Sequence, residues 1–325
     1  MLKRFVQKVS NMKGPFLLAV SGGVDSMCLA DMWLVNKRYL NDGMFRRPQT
    51  NEQAFPMSDA DRIICQDTTY YRVLNLSVST FNDNSTSYYH KSIGGYHPAK
   101  LRRYQELIEA HIQPEMQVFH KAVFEGEGRL DSCSGDRLFP VLNMLNTKYA
   151  IVGLKDNGKL PVQNPWALGN GWFVDEVAYV ADADAELAAL GSTDLARVAV
   201  VDGKFADILG SDALQSDSTA TVELTGYEAN RLSYKVKSRN GGVVVLSEMY
   251  YPGWTCTIDG EPTDIARADY VLRAVRVPAG EHELIFSFDP QTVHITETVA
   301  YGSLVLLALM LVLLLGIGVY RKTRR

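Results

Sequence analysis

The sequence predicts an α+β protein that ends in one transmembrane helix. Apolar and polar residues alternate in short segments between Ala220 and Phe288, as in an antiparallel β-sandwich. Thr298–Tyr320 is an uncharged stretch of 23 residues, rich in leucine and valine. Upstream segments switch between strand and helix periodicity, which indicates a mixed α/β region. We expect a short strand–turn–helix unit, this α/β region, the sandwich and the membrane helix, in that order.

Composition excludes several broad classes of protein. The chain has 325 residues and a net charge of −4, and its body contains no basic run that would favour nucleic acid. The cysteines lie far apart, without a CxxC pair, at Cys28, Cys65, Cys133 and Cys256. This spacing disfavours a structural zinc site or a dense disulfide framework and predicts four isolated thiols.

The predicted organisation follows these changes in pattern. We divide the chain into a strand–turn–helix fragment (1–35), a linker (36–66), a mixed α/β extracytoplasmic region (67–215), a β-sandwich (216–290), a transmembrane helix (298–320) and a basic cytoplasmic tail (321–325).

In the first unit, the apolar run Phe16–Val20 has the length of a buried parallel strand, and a glycine turn leads to the helical face of Met27–Val35. Basic residues before this run also resemble a secretory signal. The apolar run is nevertheless shorter than the roughly 7–15 residues that a signal needs. In the linker, we expect one short helix near Ser58–Cys65, with Ser58 as its N-cap.

The α/β region contains helix and strand patterns in turn. Tyr71–Leu76 is typical of a strand, and Pro98–Ile112 of an amphipathic helix with Pro98 in its first turn. Val141–Leu145 predicts a short helix that leads into a strand at Tyr149–Val152.

The sandwich is predicted from six alternating segments separated by turn residues such as Asn240–Gly242 and Asp259–Gly260. The predicted strands are Thr221–Thr225, Arg231–Lys237, Gly242–Tyr250, Trp254–Ile258, Tyr270–Val277 and His282–Phe288.

The terminal apolar stretch is long enough to cross a bilayer. Its 23 residues would form a helix of about 34 Å, against a hydrocarbon core of about 30 Å. The basic tail Arg321–Arg325 should stay in the cytoplasm, so the body should lie on the opposite, extracytoplasmic side of the membrane. That topology calls for earlier membrane helices. The alternative is a tail anchor with a cytoplasmic body, which would carry the tail's four positive charges across the membrane.

Near the N-terminus, one glycine turn has the chemistry of a pyrophosphate cradle. Its glycines let backbone N–H groups approach phosphate, its hydroxyls donate, and a helix N-terminus follows. The carboxylate of Asp25 would help to place Mg²⁺ or to orient the loop. The predicted ATP-binding residues are Ser21, Gly22, Gly23, Val24, Asp25 and Ser26.

This loop resembles the SGGxDS signature of PP-loop ATP-pyrophosphatases. With MLKRFVQKV before it and SMCLAD after it, residues 1–30 resemble the start of a tRNA(Ile)-lysidine synthase. The resemblance implies ATP, tRNA and lysine as ligands of an RNA-modifying ligase. That family's downstream histidine-and-LRG segment has no counterpart here, so we expect no catalysis from the loop alone.

Other candidate sites carry less chemistry. The spacing of His90, His97, His111 and His120 fits no helical metal site, and Asp182–Glu186 is typical of a solvated helix start. Aromatic side chains at a turn of the sandwich suggest a platform for a sugar or a lipid headgroup, although core packing is the competing interpretation. These residues are Tyr250, Tyr251 and Trp254.

From about residue 31 to its end, the chain resembles the C-terminal portion of YfhO-like bacterial membrane proteins. The resemblance implies an extracytoplasmic portion of a protein similar to glycosyltransferases that use lipid-linked sugars. The bilayer, other membrane subunits and glycans are the implied partners. The family's catalytic acid lies among early helices that have no counterpart here, so no catalytic residue is assigned. A fusion of the two families would explain both resemblances. The motifs that carry this second one are VNKRYLND (35–42), YRVLNLSVSTFND (71–83), SYYHKSIGGYHPAKLRRYQELIE (87–109), LNMLNTKYAIV (142–152), NPWALGNGWFV (164–174), MYYPGWTCTIDG (249–260) and ADYVLRAVRVPAGEHELIFSFDP (268–290).

Overall fold

A computed structural model describes residues 55–130, 135–155 and 158–324 of the chain. One compact unit spans Phe55–His294, and the rest of the C-terminal helix belongs to a second unit. The predicted strand–turn–helix unit of residues 1–35 lies outside the described residues.

The described helices are mostly short, apart from one long amphipathic segment and the C-terminal helix. Short 3₁₀ turns cover Ser85–Tyr88 and Gly203–Phe205. The helices are α1 (Asp59–Ile64), α2 (Arg102–Leu107), α3 (Gln113–Glu125), α4 (Gly135–Leu138), α5 (Pro140–Met144), α6 (Ala183–Ala189), α7 (Ala206–Leu209) and α8 (Gln291–Thr323).

The described strands are β1 (Arg72–Asn75), β2 (Thr147–Gly153), β3 (Lys159–Gln163), β4 (Gly171–Val174), β5 (Glu176–Val180), β6 (Val198–Asp202), β7 (Thr221–Glu228), β8 (Arg231–Ser238), β9 (Gly242–Met249), β10 (Trp254–Ile258), β11 (Glu261–Thr263), β12 (Ala266–Ala268), β13 (Leu272–Val277) and β14 (Gly280–Phe288). Parallel pairs occur only among the strands before β7 in the described chain, and the strands from β7 onward pair antiparallel.

Four sheets result. β1 pairs in parallel with β2, which pairs antiparallel with β3, and β5 pairs in parallel with β6. An antiparallel sheet of five strands has the order β11-β10-β14-β8-β7, and one of four strands has the order β12-β13-β9-β4. The predicted fold class, mixed α/β with antiparallel sheets and one apolar C-terminal helix, is confirmed.

The sandwich core lies between the five-stranded and four-stranded sheets. Its inward-facing side chains come from alternate positions of each strand, as the period of two requires. The four-stranded sheet also includes β4, which comes from the chain upstream of residue 216. The core residues are Leu232, Tyr234, Val236, Val244, Leu246, Cys256, Val275, Val277, Leu284 and Phe286.

Strand β9 departs from the predicted alternation because both of its faces are buried. Val244 and Leu246 enter the sandwich core, whereas Val243 and Val245 pack into the core of the α/β region. A strand that is covered on both faces is a continuous apolar run rather than an alternating one. The four-stranded sheet is therefore the central layer of the unit.

Helix α1 confirms the predicted cap at Ser58. The Ser58 hydroxyl accepts the N–H of Asp61, and the Asp61 carboxylate accepts the N–H of Ser58 at 2.8 Å. This reciprocal capping box satisfies two N–H groups that the helix leaves without intrahelical partners.

The helix predicted over Pro98–Ile112 begins and ends elsewhere. It starts at Arg102 after Leu101, passes through a π-helical turn at Ile108–Ile112, and continues as α3 to Glu125. Pro98 lies in the preceding loop. Pro114 instead occupies the start of α3, where its missing N–H is tolerated because the widened π turn removes the usual hydrogen bond.

The predicted strand over Tyr270–Val277 begins two residues later, at Leu272. Asp269 and Tyr270 have φ angles of 48° and 68°, in the left-handed region. They form the connection of the hairpin in which Ala268 pairs with Leu272. The short strand β12 before this turn is absent from the predicted set.

Arg72 joins the parallel sheet to the central layer. Its guanidinium donates to the carbonyl oxygens of Leu145 (3.0 Å) and Ser247 (2.6 Å) and to Glu248 Oε1 (3.1 Å). Beside this contact, the rings of Tyr70 and Tyr227 lie 4.2 Å apart between centroids, with the Lys91 ammonium over them. These charged and aromatic contacts add to the pairing of β4 with β9, which also joins the two halves of the unit.

The C-terminal helix α8 contains the predicted membrane-spanning stretch. Gln291–Ile317 is long and apolar enough to cross a membrane, and none of its apolar window is buried. Its exposed large side chains include Leu304, Leu309 and Leu313.

We predict that Arg72→Ala lowers the free energy of unfolding by about 3–5 kcal/mol, because it leaves Glu248 and two carbonyl groups without their buried donor. Thermal unfolding of the detergent-solubilised full chain, followed by near-UV circular dichroism, measures this loss. Arg231→Ala, which removes an exposed arginine, should change stability by less than about 0.5 kcal/mol. Equal effects of the two substitutions would contradict the joining role of Arg72.

Candidate functional site

Aromatic side chains meet at one end of the sandwich, next to the start of α8. The ring of Phe288 lies between those of Tyr251 (centroids 6.1 Å apart) and Trp254 (5.3 Å). Tyr251 is 48% exposed, and Trp254 is half-buried. We call Tyr251, Trp254 and Phe288 the aromatic surface.

The turn before β10 fixes this arrangement. Gly253 has a φ angle of +99°, and a Cβ there would lie 3.0 Å from Pro290 Cβ and 3.1 Å from the Phe288 ring. Only glycine fits such a left-handed position so close to other atoms. The turn therefore packs directly on the residues that lead into α8.

Tyr250 lies apart from the other two predicted platform residues. Its N–H donates to Val271 O at 2.7 Å, and its ring packs on Phe205 with centroids 6.1 Å apart. The structure thus brings Tyr251 and Trp254 together through Phe288 and directs Tyr250 toward the segment after β6.

Arg273 lies beneath the aromatic surface. Its guanidinium carbon is 4.0 Å from the Trp254 ring centroid and 5.7 Å from that of Phe286, a cation–π geometry. Its Nε donates to Met249 O at 2.8 Å. Arg273 is only 3% exposed, and within the described residues its buried Nη1 has no hydrogen-bond partner. Burial lowers the pKa of Arg273 against the opposing influence of Glu248.

Sequence reasoning missed both Phe288 and Arg273 in this site. Phe288 ends the predicted last strand, but its contact with Trp254 depends on the register that pairs those two residues. Arg273 lies on the same face of β13 as Val275 and Val277, which belong to the sandwich core, so strand alternation turns its side chain inward. A charged residue usually faces solvent, so the sequence alone does not indicate this burial.

The predicted ATP-binding loop is the other candidate site. Residues 21–26, the predicted ATP loop, lie outside the described residues. Across residues 55–130, 135–155 and 158–324, no group of three His, Cys, Asp or Glu side chains is arranged to hold a metal ion.

The segment Asp182–Glu186 is a helix start, but it is not solvated throughout. The Asp182 carboxylate accepts the N–H of Ala185 as the N-cap of α6. Glu186 is fully buried, with its Oε2 2.9 Å from Arg267 Nη2 and 3.7 Å from Arg103 Nη1. Its Oε1 accepts the N–H of Tyr270 at 3.0 Å. The prediction of a solvated segment is wrong for Glu186, because α6 packs this face on the central layer.

A second buried carboxyl lies in the turn before β13. Asp269 Oδ1 accepts the N–H of Val200 at 2.8 Å, and Asp269 N–H donates to Val200 O at the same distance. Among the described residues its Oδ2 has no partner. Burial raises the pKa of Asp269 to about 8, and the charge of Glu186 adds to this shift. Asp269 is therefore mostly protonated at neutral pH.

Elsewhere, an open cleft of about 290 Å³ follows β1 at the carboxyl end of the parallel strands. Ligands commonly bind at this edge of α/β sheets. Its floor is apolar, with Leu76, Phe81 and Met116, and its rim carries Asn82 and Gln113. Since none of its lining side chains is charged, it offers less binding chemistry than the aromatic surface.

Comparison with known proteins bears on the sandwich and the helix. Residues 211–299 match the family model YfhO, described as Bacterial membrane protein YfhO. The match covers about a quarter of the chain and includes the aromatic surface, Arg267, Arg273 and the first residues of α8. No curated protein and no solved structure matches the chain. Residues 211–299 are thus similar to the YfhO family of membrane proteins, and this part of the predicted resemblance is confirmed.

We predict that Asp269→Asn removes part of the pH dependence of stability. The pKa of Asp269 is higher in the folded chain (about 8) than its ordinary value of 3.8, so folding binds a proton. The free energy of unfolding of the wild type should therefore decline from about pH 5 to about pH 8, and more gently in the variant. Urea unfolding of the full chain in detergent across this range measures the difference.

Burial also raises the pKa of Glu115 to about 8. Glu115 therefore lowers the stability of the wild type and of Asp269→Asn equally over this pH range, and its effect cancels in their difference. Asp217→Asn is the matched control, because the pKa of Asp217 is shifted in the opposite direction. Hydrogen bonds from Thr219 lower the pKa of Asp217 to about 2, so this variant should lose stability above about pH 4. Parallel pH curves for the wild type and Asp269→Asn would contradict the burial of an Asp269 carboxyl.

Proposed function

We propose that the chain is the membrane-anchored, extracytoplasmic portion of a YfhO-like membrane protein, and that it has no catalysis of its own. The observation that carries this proposal is the family match, which runs through the sandwich and into α8. In this role the α/β region and sandwich act as an accessory module beside a membrane-embedded glycosyl-transfer centre. This role agrees with the resemblance to YfhO-like proteins that extends from about residue 31 to the end of the chain.

Anchoring is supported by the physical character of α8. A helix whose large apolar side chains are exposed over more than five turns is unstable in water unless lipid or another apolar partner covers it. Tyr301 and Tyr320 lie toward the two ends of this apolar stretch, where aromatic residues favour the membrane–water interface.

The proposed side of the membrane follows from charge. Arg321, Lys322, Arg324 and Arg325 follow the apolar stretch directly, and short basic flanks stay in the cytoplasm. The body before α8 then lies outside the bacterial inner membrane. The opposite orientation, with a cytoplasmic body, is the outcome that the same experiment would reveal.

We predict that the chain, tagged with an epitope at its C-terminus and expressed from its native gene, stays in the membrane pellet after alkaline carbonate extraction. Protease added to spheroplasts should remove the body and spare the tag. Leu306→Arg together with Leu313→Arg should release the chain, because each arginine at the helix centre costs about 2.5–3.5 kcal/mol. Leu306→Ile with Leu313→Ile is the matched control and should stay in the pellet.

Two results would overturn parts of this proposal separately. Release of the wild type by carbonate would exclude a membrane-integrated helix. If the tag is digested while the body is protected, the helix spans the membrane but the body lies in the cytoplasm.

A second candidate function is glycan binding at the aromatic surface. The exposed ring of Tyr251 and the flat indole of Trp254 offer the stacking faces that sugars use. Phe288 precedes the first residue of α8 by three positions, which is at most about 10 Å of chain. The aromatic surface therefore lies close to the start of the membrane anchor, where a lipid-linked glycan would be presented.

To test glycan binding, we expect Tyr251→Ala and Trp254→Ala each to reduce retention of the detergent-solubilised chain on immobilised N-acetylhexosamine oligosaccharides by at least ten-fold. Loss of a stacking face explains this effect, so Trp254→Phe should retain most of the binding. Tyr88→Ala removes an equally exposed ring elsewhere and is the matched control. Unchanged retention in both alanine variants would exclude this function.

A further inference from the structure

A cysteine, a histidine and an aspartate meet at the C-terminal end of α1, far along the chain from the aromatic surface. Asp61 and Cys65 are four residues apart, so they lie on one face of the helix. His90, which follows the 3₁₀ turn at Ser85–Tyr88, packs across both. Its Nε2 is 3.0 Å from Asp61 Oδ1, and its Nδ1 is 3.9 Å from Cys65 Sγ.

The carboxylate of Asp61 is held ionised. Burial raises its pKa, but hydrogen bonds from Ser58 and His90 outweigh burial and lower the pKa below its ordinary value. Its Oδ2 accepts both the N–H and the hydroxyl of Ser58, which leaves Oδ1 for His90. Asp61 therefore presents one free, negatively charged acceptor to the imidazole.

This acceptor fixes the orientation of the His90 ring. An ionised carboxylate only accepts hydrogen bonds, so the Nε2 atom carries the proton in the neutral imidazole. The lone pair of Nδ1 then faces the sulfur of Cys65. Because the His90 side chain is almost fully buried, the packing around it holds the ring in this direction.

The thiol itself remains open to solvent. Cys65 is exposed, whereas the imidazole and carboxylate lie beneath it. Burial of the sulfur and the charge of Asp61 raise the pKa of Cys65, so the resting group is a neutral thiol. The neighbouring Tyr71 hydroxyl donates to Ile64 O at 2.8 Å, and burial raises its pKa to about 12, so it adds no charge near neutral pH.

We propose that Cys65, His90 and Asp61 form a thiol site that reacts with small disulfides, with His90 as the general base and Asp61 as its positioning residue. The carboxylate orients the base, and the base contacts the nucleophile. The same arrangement activates nucleophilic side chains in enzymes. Exchange at sulfur requires only an accessible nucleophile, a base and room for the incoming disulfide. The exposed edge of Cys65 offers that access.

The reaction balances without any other oxidant. Cys65 Sγ attacks one sulfur of the small disulfide while its proton moves to Nδ1 of His90. The S–S bond of the disulfide breaks, its electron pair leaves on the second sulfur, and that thiolate takes the proton from His90. The Cys65 sulfur is oxidised in a new mixed disulfide, and the leaving sulfur is reduced.

The test uses the detergent-solubilised full chain with Cys28→Ser and Cys133→Ser, and a chromogenic dipyridyl disulfide as the probe. At pH 7 we expect Cys65 to react at least ten-fold faster than N-acetylcysteine and at least ten-fold faster than in the His90→Gln variant. As the pH rises and the thiol ionises without a base, the difference between wild type and variant should narrow. Asp61→Asn should give an intermediate rate at pH 7.

Cys256 is an internal control for folding. It is buried in the sandwich core, and burial raises its pKa to about 12, so it should react only after denaturation. If His90→Gln unfolds the chain and exposes Cys256, the rate of the wild type is instead compared with those of His90→Asn and N-acetylcysteine. A wild-type Cys65 that reacts no faster than N-acetylcysteine, or a folded variant with an unchanged rate at pH 7, would overturn the proposal.

Discussion

The burial of the four-stranded sheet on both faces is the constraint on which the rest of the compact unit depends. β9 supplies Val244 and Leu246 to the sandwich and Val243 and Val245 to the α/β core. A layer between two cores leaves little access to water, so most polar groups there need a protein partner, and the unpaired Nη1 of Arg273 is an exception. Arg72, which joins β1 to the β9 backbone, and Ser247, whose hydroxyl donates to Met144 O and Gly169 O, meet this requirement.

The charged groups at the edge of this layer follow the same rule. Glu186 is matched by Arg267, which also lies 3.4 Å from Asp202. A buried ion pair of this kind adds little net stability, because desolvation offsets the attraction, but removing one member is costly. The network therefore acts mainly to fix how α6, β6 and the turn before β13 meet. Asp269 and Tyr270, whose φ angles lie in the left-handed region, are held between these contacts. The contacts stabilise a backbone conformation that would otherwise be strained.

The extent to which the sequence predicts this structure depends on how local each signal is. The Ser58 cap and the alternating strand Arg231–Ser238 were predictable because their causes lie within a few residues. The continuous burial of β9 and the burial of Glu186 depend on partners far along the chain, such as Arg267, which lies 81 residues from Glu186. The inward direction of Arg273 depends on a second core that covers the other side of the sheet. In the candidate site, Tyr251 and Trp254 were recognisable as an aromatic turn, whereas the contribution of Phe288 required the strand pairing. The contact between Cys65 and His90 has no local signal in the sequence, because 25 residues separate them along the chain.

The same sheet geometry connects the aromatic surface to the first residues of α8. β14 is the third strand of the five-stranded sheet, so Phe288 leaves it between β10 and β8, held by Trp254 on one side and by Asn230 O on the other. Pro290 then packs on Gly253, and α8 begins at the next residue. Proline suits this position because it restricts the chain between strand and helix. Few freely rotating bonds separate the rings from Gln291, so covalent and packing constraints together keep the aromatic surface close to the first residue of α8.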